Sequence, residues 1–289
     1  MLASALLAAM LSPAADPPKN PFEFADGDRV VFLGGTLIER EQKYGYWELA
    51  LTLKNKDKNV VFRNLGWSGD TVWCESRGSF GGQPEGFKKT IDLVKELKPT
   101  VIVMCYGHVE SFDGKDGVAK FTDGLEKLID AVSVTKARVV LMSPTSFHYG
   151  KPKDSTAKND NLKLYVKAME EVAEKRKLAT VDLFIRAWQY SDTLTDNGMH
   201  LHETGYWTTA EWLAPNDISL VLTDSQKALR AAIIAKNELF FHRWRPQNLT
   251  YLTGFRKHEQ GQNAKEIVQF DPLVEKAEKE IAELRRKVK

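Results

Sequence analysis

The chain has 289 residues, 43% of them hydrophobic and 28% charged, with a formal net charge of +2. That balance fits a globular protein with one large core or a core plus an appendage, and excludes disordered and fibrous chains. Basic and acidic residues are interleaved, so no nucleic-acid partner is expected.

Residues 1–15 pass through Leu2, Leu6, Leu7, Met10 and Leu11 to Ser12-Pro13-Ala14-Ala15, an apolar stretch closed by small residues. It is too short to span a bilayer and reads as a signal peptide, although it lacks a positive start. A secreted or periplasmic protein is expected, with a linker over 16–25 and no integral membrane span. Two cysteines, Cys74 and Cys105, are too few for a disulfide scaffold. They either pair after export or remain two small buried thiols.

Beyond the linker, apolar β-rich runs alternate with helical periodicity. Strands are expected over 29–34, 59–64, 100–106, 137–143 and 179–183, and helices over 39–53, 86–97, 118–132 and 159–176. Such alternation builds right-handed βαβ units, hence an α/β fold with a five-stranded parallel sheet covered by helices on both faces. The run Val101-Ile102-Val103-Met104-Cys105-Tyr106 agrees with burial on both sides. After Trp207 the composition changes to a helix over 225–241, an aromatic and basic segment over 240–248, and a charged helix over 272–288. The last helix reads as a solvated strut laced with ion pairs. This C-terminal helical extension, 215–289, is expected to pack on a first domain spanning 26–214.

In an open parallel sheet, ligands sit at the carboxyl ends of the strands, and the loops there carry the chemistry. Four such loops stand out: Gly34-Gly35-Thr36, Ser68-Gly69-Asp70-Thr71, Gly107-His108-Val109-Glu110, and Asp196-Asn197-Gly198-Met199-His200-Leu201-His202. Their order and spacing over about 26–207 resemble the SGNH/GDSL hydrolase family of esterases and lipases. Gly66-x-Ser68-x-Asp70 also approaches the nucleophile elbow Gly-x-Ser-x-Gly, but an aspartate stands where the last glycine belongs, and that reading is set aside.

The resemblance implies a flavodoxin-like three-layer α/β/α sandwich and ester hydrolysis without a metal or cofactor. In the family's first block, Gly-Asp-Ser, the serine is the nucleophile. Here Thr36 stands in its place and Gly35 replaces the aspartate. Thr36 reads equally as a weak nucleophile and as a helix cap. Gly69 matches the glycine whose N–H serves the oxyanion hole. Val109 occupies the position of an asparagine donor and cannot donate, and the adjacent His108 either supplies a ring N–H instead or is simply backbone-bonded. His200 matches the catalytic base, with Asn197 at the carboxylate position and Asp196 one residue away. The pair His200 and His202 lacks further ligands, and no metal is expected.

His108, Glu110, His202 and, from the extension, Arg243 are candidate substrate contacts. Two functions follow. One is an exported ester hydrolase acting on O-acyl (acetyl) groups of carbohydrates or other small esters, with Thr36 and His200 as a weak nucleophile and base. The other is a non-catalytic relative that keeps the pocket to bind a glycan or a partner protein.

Overall fold

The structure, a computed structural model, describes residues 20–79, 81–149, 152–189, 194–219 and 221–288, without the side chains of 152–154. The signal peptide expected over 1–15 lies outside the described residues. Among the described residues no helix is long and apolar enough to cross a membrane.

The five strands are β1 (Arg29–Gly34), β2 (Val61–Gly66), β3 (Val101–Cys105), β4 (Arg138–Met142) and β5 (Ala179–Val181). All neighbours are parallel, in the order β2-β1-β3-β4-β5. Successive side chains on a strand point to opposite faces, and the core divides accordingly. Val30, Phe32, Val101, Val103, Val140 and Met142 face one layer, whereas Val31, Leu33, Ile102, Met104, Val139 and Leu141 face the other. The first layer holds helices α1 (Thr36–Tyr44), α2 (Tyr46–Lys54) and α7 (Glu203–Leu213). The second holds α3 (Gly82–Leu97), α4 (Val118–Val132) and α5 (Pro152–Arg176). The short α6 (Phe184–Trp188) follows β5. This is the three-layer α/β/α sandwich.

The same division decides the cysteines. Cys105 belongs to one face and Cys74 to the other, so the sheet separates them, and both are free and buried.

The helix expected over 39–53 is broken in two at Gly45, whose φ of 65° is left-handed. The buried Glu41 carboxylate caps the second piece, accepting the N–H groups of Trp47 at 2.8 Å and Glu48 at 3.2 Å. Periodicity alone ran the two helices together. Burying Trp47 and Leu49 is worth about 1.5–3 kcal/mol each, more than the roughly 1 kcal/mol a glycine interruption costs, so packing decides the break.

In the C-terminal region α8 (Asp224–Trp244) and α11 (Phe270–Lys287) pack together, linked by the short α9 (Leu249–Leu252) and α10 (Lys257–Gln260). The expectation of a merely solvated last helix needs correction, because α11 buries Val274 and Ile281. The pair covers the exposed edge of β2, as an unpaired strand edge requires. There Lys236, with no exposed surface, donates to Glu48 at 2.8 Å, to the Phe62 carbonyl at 3.1 Å and to Asn237 at 2.7 Å. Arg63 on β2 also pairs with Glu278. Removing one partner of a buried ion pair strands the other charge. Lys236→Met should therefore lower stability by about 3–5 kcal/mol in urea unfolding, and a loss below about 1 kcal/mol would show that the extension does not depend on this contact.

Candidate active site

The sheet order reverses at β1, which runs between β2 and β3. Open α/β sheets bind ligands at such a switch point, outside the carboxyl ends of the strands. Gly35 and Thr36 leave β1 there, and Gly107, His108, Val109 and Glu110 leave β3 beside them. Together with Met199 from the 194–202 loop these residues line a cavity of about 20 Å3, room for one water-sized group. Gly35 stands where the related motif has aspartate, and a Cβ there would lie 3.2 Å from the Asp70 carbonyl oxygen. Its absence lets the β1 and β2 loops close up.

Thr36 begins α1, where backbone N–H groups have no helical acceptor. It is not the side-chain cap of that helix, because the N-cap is Gly35 and no side-chain capping bond is made. Its hydroxyl oxygen instead accepts the Gly69 N–H at 3.0 Å. The first two loops thus meet as their motifs imply.

In the third loop His108 takes the backbone-bonded alternative and is not placed as a free substrate contact. His108 Nε2 donates to the Thr145 carbonyl at 2.7 Å, and the ring stacks on Phe147 with centroids 4.8 Å apart. Burial pushes its pKa down to about 4. The neutral ring has spent its only N–H, so His108 does not replace the donor lost at Val109. Glu110 is also not free for substrate. Its two carboxylate oxygens accept Val72 N–H and Gly107 N–H, each at 2.9 Å, which ties the β2 loop to the β3 loop.

The fourth loop is fastened from both sides. Arg40 of α1 binds Asp196 at 2.7 Å and the Leu201 carbonyl at 3.1 Å, and His148 N–H donates to the Gly198 carbonyl at 2.6 Å. Asp196 is therefore the partner of Arg40. Asn197 is the one that meets His200, its Nδ2 standing 3.2 Å from Nδ1. Among the described residues no hydrogen bond joins the Thr36 hydroxyl to the His200 ring. Burial first, and the Arg40 charge second, hold His200 below the usual imidazole range. His202 caps α7, its Nδ1 accepting the Gly205 N–H at 3.2 Å, a structural use in place of the expected substrate contact.

Arg243 lies elsewhere. It pairs with Glu96 and Asp271, each at 2.8 Å, in a groove of about 840 Å3 that also includes Arg29 and Val61 at the amino ends of β1 and β2. Its neighbour Arg245 reaches the rim instead, binding Glu39 at 2.9 Å and lying 3.5 Å over the Trp67 ring. Glu39 in turn accepts the Ser68 N–H beside Gly69. A second hidden support is the buried pair of Arg77 and Asp70 at 2.5 Å, with Arg77 also donating to the Leu65 carbonyl at 2.8 Å. These supports join residues far apart in sequence and leave no local signal. Among the described residues no group of three His, Cys, Asp or Glu side chains is placed to hold a metal.

Burial pushes the Glu110 pKa from 4.5 up to about 7. A carboxyl whose value rises on folding favours the fold when protonated, and that contribution is lost as pH climbs through the folded value. The melting temperature of the protein should therefore fall between about pH 4.5 and 7 more steeply than that of Glu110→Gln. Parallel curves would contradict the assignment.

A model of the GDSL-like lipase/acylhydrolase family matches residues 25–208. Among solved structures, the chain is similar to BT4096, a gut microbial diltiazem-metabolizing enzyme, at 17% identity and a TM-score of 0.50. That match covers 65% of this chain and 46% of BT4096, so the chain spans about half the length of that neighbour. LAE5, an alpha/beta hydrolase enzyme from the metagenome of Lake Arreo, Spain, is 18% identical with a TM-score of 0.53, covering 68% of this chain and 99% of LAE5. The acetyl xylan esterase AlAXEase is 18% identical with a TM-score of 0.52, covering 65% and 99% respectively. At such identities these likenesses show the fold. No curated protein matches the sequence significantly.

Proposed function

Because the chain belongs to the GDSL-like lipase/acylhydrolase family, we propose that it is a slow ester hydrolase acting on small O-acyl groups, acetyl groups of carbohydrates in particular, with Thr36 as the attacking hydroxyl. The observation that carries this reading is the 3.0 Å contact between Gly69 N–H and the Thr36 oxygen at the switch point. A hydroxyl and a backbone donor so placed can form an acyl bond and hold the oxygen that becomes negative. In the family arrangement His200 takes the proton, held by the group at position 197. The recess adjoining the cavity supports a carbohydrate alcohol. It measures about 280 Å3, shares Val109 and Glu110 with the cavity, and presents Trp73, Glu75, Asp113 and Lys120, an aromatic surface with hydrogen-bonding groups for hydroxyls. The acetyl xylan esterase among the neighbours points to the same substrate class. Export, proposed from the apolar stretch over 1–15, suits action on glycans outside the cell.

Slowness has two causes. The missing side-chain donor at Val109 costs about 10²–10³ in rate where such donors have been removed. Asn197, in place of a carboxylate, also gives no charge to stabilise an imidazolium. The same two residues favour a second reading, in which the site binds a glycan or partner protein without turnover.

Short acyl esters and acetylated xylo-oligosaccharides offered to the purified protein decide between them. Thr36→Val, which removes the hydroxyl at nearly constant shape, should fall to background, and Val109→Asn with Asn197→Asp should raise turnover by about 10². Equal background rates for the wild type and Thr36→Val would leave only the binding reading.

A further inference from the structure

We propose that the cavity of about 20 Å3 receives the acyl tail of the ester and the recess of about 280 Å3 its alcohol, with Val109 standing between them and, together with Met199, setting acyl length. The inference rests on the ester-hydrolase reading and gives that site an orientation: acetyl esters are substrates, and each added acyl methylene is penalised.

The two spaces meet at one pair of side chains. Among the described residues Val109 and Glu110 alone line both. Glu110 is committed to the N–H groups of Val72 and Gly107, which leaves the apolar Val109 as the partition. Thr36 is a wall of the cavity, whereas Gly69, whose N–H reaches the Thr36 oxygen at 3.0 Å, and His200 are not. Bond making therefore belongs at the mouth, and only a substituent of the carbonyl enters. An ester carbonyl held beside Thr36 and the Gly69 N–H has two substituents to place, and the molecule offers two unequal spaces for them.

Chemistry assigns which goes where. Leu37, Cys105, Val109, Pro144 and Met199 give the cavity its apolar walls. Of its polar side chains, His108 has spent its N–H on the Thr145 carbonyl and Asp70 pairs with Arg77 at 2.5 Å. A sugar bearing several hydroxyls would shed its hydration there for few partners, which is costly. A methyl group sheds none. The recess instead presents Trp73, Glu75, Asp113 and Lys120, a flat apolar ring with groups that accept from and donate to hydroxyls. The room inside the cavity, one water-sized group, is also about the bulk of a methyl.

Most of the walls cannot yield to a longer chain. Leu37 and Cys105 are buried, Pro144 is a fixed ring, and Val109 is β-branched and stiff at χ1. Met199 is the flexible wall, partly buried against the Phe147 cluster on a loop that Arg40 and His148 fasten. Forcing extra methylenes into a packed space is unfavourable. Valine at 109 thus does more than remove a donor: it bounds the acyl space on the side of the alcohol.

A series of para-nitrophenyl esters from acetyl to octanoyl, offered to the purified protein, reads this directly. kcat/KM is expected to fall about tenfold or more for each of the first two methylenes, whereas acetates of alkyl alcohols of growing length show no such cut-off. Val109→Ala and Met199→Ala should each raise the butyryl-to-acetyl ratio of kcat/KM at least about tenfold, and Val109→Ile should lower it. None of these changes adds or removes a side-chain hydrogen-bond donor, so the ratio reads shape, and general damage to the fold would lower both esters in parallel. A wild-type profile that stays flat to octanoyl, or a ratio unmoved in all three variants, would overturn the orientation while the ester reading stands. No turnover of any ester in either series would remove the ester reading and this proposal with it.

Discussion

The pairing of β1 with β2 on one side and β3 on the other is the constraint on which the site depends. Val30 to Gly34 lie against Val101 to Cys105 in parallel register, and Arg29 to Gly34 against Val61 to Gly66. The carboxyl ends of three strands are therefore adjacent, and the residues that leave them share one small space. The order in which strands are added to the sheet reverses there, and open α/β sheets leave their ligand crevice at such a point. A slip of one residue in β1 would exchange its two faces and carry Thr36 away from Gly69.

The loops above that junction are held by contacts around the cavity. Glu110 joins the β2 and β3 loops through two backbone N–H groups. Arg40 holds the His200 loop against α1, and Arg77 reaches beneath the rim to strand carbonyls and Asp70. The C-terminal helices contribute as well, because Arg245 and Trp244 close over Trp67 and Glu39 next to the Ser68–Gly69 turn. The extension thus supports both an open strand edge and the loop carrying the backbone donor. Its own attachment rests on the buried Lys236 with Glu48.

The strands were legible because residues buried on both faces form near-continuous apolar runs, as in Val101 to Cys105. The break at Gly45 was not, since apolar periodicity continues through it and only the Glu41 cap reveals it. Helix α8 runs on to Trp244, past the expected 241, and this is why Arg243 turns toward Glu96 while Arg245 reaches Glu39. The meeting of Thr36 and Gly69 followed from motif order. The uses of Glu110 and His202 did not, and for His108 the choice between two readings stayed open, because each side chain is engaged by backbone groups that no motif specifies. A spacing can place an imidazole at a rim, but its tautomer is set by the atoms it meets there.

The proposed activity requires Thr36 to be the reactive alcohol beside the Gly69 N–H. Treatment with a small alkyl fluorophosphonate, followed by intact mass and peptide mapping, tests this most directly. The expected result is a single phosphonyl group on Thr36. A protein that stays unlabelled, or carries the group on another residue, would contradict it.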